Sequence, residues 1–284
     1  MRSNSIGARI ALGLLIGSLA VAAISVNRAQ AAAIETENNL FFVDCTVDRI
    51  AERCRLDTGD NTTATLRRSR AFSKLPVVNV GKTMGVSGVV AATNLVHVDK
   101  ISVSELSLED LDNVQVLTRP HPFSSLGLRF FERLGTVTFD FRRGELTRDG
   151  PPSGRLCAGA LAVGYVMRIP ARIGGQDLSV AWDTEASSTV ADAGYVEAHP
   201  ELFEFVRELP SGADSTTTGV PARLFKAKTL SVCGREFQDV SVVAMDMSAP
   251  KAMIPDFPDV TLGANLMMGH VWAFDFKDRT WSFE

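Results

Sequence analysis

Beyond residue 31, β-branched and aromatic residues fall in short runs broken by Gly, Pro, Asn and Asp, the pattern of an all-β chain built from hairpins. Residues 40–46 and 53–56 read as strands around a turn at 48–52, and residues 165–173 and 178–182 as strands around Gly174-Gly175-Gln176-Asp177. Each hairpin delivers an aspartate at the end of its second strand, Asp57 in one and Asp183 in the other. Helical signals are few. Residues 190–198 and 200–209 read as one or two short helices, with a break at His199-Pro200. Two further hairpin regions carry glycine, 77–99 with Gly81, Gly85 and Gly88, and 216–232 with Gly219 and Pro221. Glycine admits positive φ and leaves room for a ligand's backbone. Gly85, Val86, Ser87 and Gly88 in the first region, and Thr218 and Gly219 in the second, are therefore expected to form mobile flap tips.

The same signals recur in the same order. Asp57-Thr58-Gly59 is echoed by Asp183-Thr184-Glu185, and the Thr-rich stretch Thr62-Thr63-Ala64-Thr65 by Ser187-Ser188-Thr189-Val190. Further on, Leu126-Gly127 with Phe139-Asp140-Phe141 is echoed by Leu262-Gly263 with Phe274-Asp275-Phe276. The step from Asp to Gly is 70 residues in the first half and 80 in the second. Two similar lobes, each offering one carboxylate, point to one shared site. The polar, Gly/Pro-rich stretch 148–156 is the natural linker, with lobes at 35–147 and 157–284.

Composition narrows the function. The 284 residues are 45% hydrophobic and 22% charged, which is a folding chain, and the net charge of −4 has the wrong sign for a nucleic-acid binder. Arg2 and Arg9 precede an apolar run from Ile10 to Val26 and then Ala29-Gln30-Ala31. This reads as a signal peptide over residues 1–31 with a small-residue cleavage site, and so as export to the periplasm or the extracellular space. The alternative is an uncleaved membrane anchor, since the run approaches the roughly 20 residues that span a bilayer. Export makes disulfides the reading for the cysteines. Cys45 is expected to pair with Cys54 across a hairpin and Cys157 with Cys233 between distant strands, the alternative being four buried free thiols. Neither C-x-x-C nor His-Glu-x-x-His occurs, so no zinc or other metal is expected. Gly81-Lys82-Thr83 lacks the glycine of a phosphate loop at position 76, which is Pro.

A strand entering Asp-Thr-Gly, a glycine-bearing hairpin, an apolar Leu-Gly and a Phe-Asp-Phe strand together resemble the lobe signature of the aspartic proteases. The resemblance runs from about Phe41 to Trp281, with lobes more like the short retroviral-type unit than like half a pepsin. It implies an all-β acid-protease fold, two similar lobes of six to seven strands related by a pseudo-twofold axis, in a monomer. It further implies that Asp57 and Asp183 face each other and share a proton, one acting as base on a water and the other as acid to the peptide carbonyl. Thr58 and Thr184 would bond to the opposite loop and fix the pair, with Gly59 and residue 185 closing the loops. Gly127 and Gly263 would lie where a strand crosses behind each loop. A polypeptide would bind extended, and no cofactor is required.

Two positions depart from the family pattern. Glu185 stands where the family has Gly, and Asp60 where it has a small residue. Asp57, Asp60, Asp183 and Glu185 are then expected to form an acidic cluster whose repulsion raises their pKa values. Three outcomes stay open at this point: an enzyme with a shifted pH optimum, a protein that kept the groove for binding extended peptides or a partner and lost the chemistry, and an acidic site for a cation such as calcium.

Overall fold

The computed structural model describes residues 31–148, 156–213 and 218–284. The export segment therefore lies outside the described residues except for Ala31, and the linker except for Arg148 and Leu156. Among the described residues there are three sheets and four short α-helices. No described helix is long and apolar enough to cross a membrane.

Both Asp-delivering hairpins form, with tighter turns than the sequence suggested. Leu40–Val47 and Ile50–Asp57 pair antiparallel across Asp48 and Arg49, whose φ values are 45° and 71°. Met167–Ile173 and Gln176–Trp182 pair across Gly174 and Gly175, at 54° and 86°. Two central residues at positive φ are the pattern of the type I′ turn, whose twist matches that of the flanking strands. Three of the four strands are thereby longer than expected, while the strand expected from residue 165 begins at Met167.

Each hairpin strand then pairs in parallel with a distant segment. Ile50–Asp57 lies beside Ser124–Gly127, with Asp57 opposite Gly127, and Gln176–Trp182 lies beside Val260–Leu262, with Trp182 opposite Leu262. The first lobe completes an eight-stranded sheet with Glu35–Glu37, Ala64–Leu66, Val77–Met84, Val90–Val103 and Leu106–Leu117. The second does so with Ala162–Val163, Thr189–Asp192, Phe203–Ala213, Thr218–Val232 and Arg235–Met245 in the same spatial order. The strand count exceeds the expected six to seven because short edge strands join each sheet. Residues 200–209 are not helical: Phe203–Ala213 pairs with Thr218–Val232 through a ladder with register shifts near Phe205 and Leu209. Only Ala193–Ala198 is helical in that region. The alternating Phe203, Phe205 pattern binds a neighbouring strand, and that long-range pairing overrides the local helical signal.

The two Phe-Asp-Phe echoes do not belong to their own lobes. Thr136–Asp140 pairs antiparallel with Val271–Asp275, Phe139 opposite Trp272 and Val137 opposite Phe274, at the centre of a five-stranded sheet shared by both halves. Above it, Trp182 meets Phe139 at 5.1 Å, Phe274 at 4.7 Å and Trp272 at 5.6 Å between ring centroids. These fully buried rings join the two halves into one core, and such aromatic pairs add about 1 kcal/mol each beyond the area they bury. The aspartates in the echo are turn formers. Asp140 accepts the backbone N–H of Arg142 and Arg143, and Asp275 those of Lys277 and Asp278.

Both expected disulfides form, Cys45–Cys54 and Cys157–Cys233, and no described cysteine is free. The first sits in the strand pair that ends at Asp57. The second closes a loop of 76 residues and anchors the start of the second lobe. Two such bonds fit a chain that folds in an oxidising compartment.

Candidate active site

Asp57 and Asp183 end their strands on loops that touch at the junction of the lobes. The contact is reciprocal: Thr58 N–H donates to Thr184 Oγ1 at 3.1 Å, and Thr184 N–H donates to Thr58 Oγ1 at 3.1 Å. Thr58 Oγ1 also donates to the Trp182 carbonyl at 2.9 Å. Both threonines are fully buried, so each bond replaces one that water cannot supply. Thr58 and Thr184 thus hold the two loops to one geometry.

Gly127 and Gly263 sit behind these loops with no space for a side chain. A Cβ on Gly127 would fall 2.2 Å from the Thr62 carbonyl oxygen, and one on Gly263 would fall 2.4 Å from the Ser188 carbonyl carbon. The obstacle in both cases is backbone already committed to hydrogen bonds, such as Ala264 N–H to Ala186 O at 2.8 Å. Gly263→Ala is expected to cost about 3 kcal/mol in a denaturant titration by overpacking. A loss under about 0.5 kcal/mol would show that the loop yields.

Around the carboxylates the two halves diverge. Asp57 Oδ1 accepts Asp60 N–H at 3.0 Å, while Asp183 Oδ1 accepts Glu185 N–H at 2.8 Å, with the Gly59 N–H also acting on the Asp183 carboxylate. Gly59 has to be glycine, because a Cβ there would come 2.5 Å from Asp183 Cγ. Glu185, in the equivalent place, does carry a side chain. Its carboxylate lies close enough to Asp57 for its charge to act on it, and pairs with the Arg55 guanidinium. Arg55 lies two residues before Asp57 on one strand, so both side chains leave the same face. Burial, then the Glu185 charge, pushes Asp57 well above the usual carboxylate range. Asp183 rises to about 6 for the same two reasons, against the pull of the Glu185 N–H, Arg55 and the Gly59 N–H.

Asp57, Asp60 and Asp183 of the anticipated acidic cluster are raised, with burial rather than repulsion as the largest cause. The Asp60 carboxylate is turned to Thr62 Oγ1 and Thr65 Oγ1, each donating at 2.8 Å. Two of the four acids are thus engaged by side-chain donors, Asp60 by threonines and Glu185 by Arg55.

The residues expected at the flap tips meet at the junction of the two lobes. Val77–Met84 and Val90–Val103 form a hairpin whose tip is closed by Gly85 N–H to Val89 O and Gly88 N–H to Gly85 O, with Gly88 at φ 81°. The tip leans on the other lobe. Val86 packs against Val220, Met245 and Met247, and a Cβ on Gly88 would meet Ala249 Cβ at 2.4 Å. Ser87 and Gly219 line one cavity of about 500 Å³ with Glu208, Val220 and Met245. Thr218 begins the Thr218–Val232 strand; the rest of that tip lies outside the described residues.

No protein-family model matches the chain, and no curated protein matches it by sequence. Among solved structures, the aspartic proteinase from Irpex lacteus superposes with a TM-score of 0.59 at 11% identity, covering 89% of this chain and 96% of that one. This is the acid-protease fold. Arg55 is not among the residues expected at the site, because it stands inside a strand between the apolar residues Cys54 and Leu56. Its signal was available in the spacing to Asp57 and in the unbalanced acid at Glu185.

Proposed function

We propose that the protein is an exported aspartic endopeptidase whose Asp57 and Asp183 activate one water. The observation that carries this reading is the pair of equivalent Asp-Thr loops bound to each other by reciprocal threonine hydrogen bonds. A peptide lies extended beneath the flap, with its backbone bonded to flap strands as in β-augmentation. The ionised aspartate takes a proton from water as its oxygen attacks the carbonyl carbon, while the protonated aspartate gives its proton to the carbonyl oxygen. The proton taken from water then passes to the amide nitrogen, the C–N bond breaks, and the new carboxyl returns a proton to the second aspartate. One water is consumed and the pair regains its starting state.

The test is incubation of the purified exported protein with an unfolded polypeptide, with and without a statine-containing peptide. Cleavage blocked stoichiometrically by the statine is the expected result. Export with removal of residues 1–31 is part of the proposal, and a secreted protein whose N-terminal sequence starts upstream of Ala31 would contradict it. A second reading, a peptide-binding protein without turnover, is favoured by one observation: Glu185 brings a buried carboxylate, paired with Arg55, beside the two aspartates where the family has glycine. That reading predicts peptide binding and no product at any pH.

A further inference from the structure

The two loops are alike in backbone and unlike in chemistry. Asp183 is surrounded by donors: the Glu185 N–H, the Gly59 N–H and, nearby, the Arg55 guanidinium. Such an environment favours a carboxylate. Asp57 has one backbone donor, Asp60 N–H, and otherwise faces the side chains of Glu185, Asp60 and Asp183. Two neighbouring carboxyl groups escape repulsion when one of them keeps its proton. Glu185 is held by Arg55 as an ion pair, so it is suited to accept and Asp57 to donate.

Resting on the reading of Asp57 and Asp183 as the proteolytic pair, we propose that Glu185, charge-balanced by Arg55, is a positioning residue that keeps the working proton on Asp57 and leaves Asp183 as the base. The roles of the two aspartates, interchangeable by the symmetry of the echo, become fixed. Asp57 O–H gives its proton to the carbonyl oxygen and Asp183 takes one from water. The Arg55 guanidinium, with its side chain 11% exposed, and the Glu185 carboxylate, at 16%, join opposite lobes across the cleft floor. Neither can be lost singly without leaving the other unbalanced close to the site. The departure from glycine at 185 and the arginine at 55 therefore act as one compensated change.

The pH profile of kcat/KM for the unaltered protein, Glu185→Gln and Arg55→Met tests this, together with carbon-13 NMR titration of the aspartate carboxyls in the same proteins. Glu185→Gln removes a negative charge that acts on both aspartates and is expected to move both limbs about one unit toward acid. Arg55→Met removes a positive charge acting on Asp183 and is expected to move the acid limb upward by a similar amount. Unmoved limbs and titrations in both variants, with only a lower rate, would make the pair a structural tie and overturn the proposal. Glu185→Gln decides alone if Arg55→Met does not fold. The titrations separate this proposal from the one it rests on. Carboxyls that move with Glu185→Gln in a protein without turnover sustain the Glu185 role while the protease reading fails. Unmoved carboxyls in an active protein do the reverse.

Discussion

Asp183→Asn is expected to be inactive and, above about pH 6, more stable than the unaltered protein. The folded chain holds the Asp183 proton to about 6, whereas an unfolded aspartate releases it near 3.8. Between those values the folded state binds more protons than the unfolded one, so stability falls as pH rises through this window and the full cost is present above it. A two-unit shift corresponds to about 3 kcal/mol, reduced to about 2 kcal/mol because Asp183 is partly exposed and water screens it. Asn removes the charge and keeps an oxygen for the Glu185 and Gly59 donors. Thermal melts should therefore place Asp183→Asn about 5 °C above the unaltered protein at pH 8 and level with it near pH 3. Equal melting at both values would mean that the carboxylate is not held against its charge. Turnover should fall at least about 10³-fold, the scale of losing a general base.

The second large effect is on the working pH. With Asp183 as the base, kcat/KM should climb about tenfold per unit up to about pH 6. It should fall again only where Asp57, raised by burial and then by Glu185 and Asp60, releases its own proton. The optimum is thus expected close to neutral, and the rate at pH 4 roughly 100-fold below it. A profile that peaks near pH 3 to 4 would mean that burial and Glu185 do not act on the pair as their positions imply.

Much of this was legible in the chain before any coordinate. The echo of Asp57-Thr58-Gly59 and the spacing to Leu126-Gly127 and Leu262-Gly263 carry the two-lobed fold, because a loop with no room behind it requires glycine there. The cysteine pairs followed from their placement on adjacent or returning strands. Residues 200–209 do not form the expected helix, since Phe203 to Leu209 are set by partners 13 to 24 residues further on, Ala222 to Ala227, which local propensity does not contain. The meeting of Phe139 with Trp272 across the lobes was hidden for the same reason: each Phe-Asp-Phe was visible, their pairing with each other was not. Arg55 is the instructive case. A charge amid apolar neighbours looks like noise until strand parity puts it beside Asp57 and the fold brings Glu185 to it from 130 residues away.

The claim that two lobes build one acid–base site rests most directly on the cleavage of an unfolded polypeptide near neutral pH by the unaltered protein, Asp57→Asn and Asp183→Asn. The account predicts products from the first, blocked by a statine peptide, and none from either variant. Undiminished cleavage in either Asn variant, or peptide binding without any product in the unaltered protein, would contradict it.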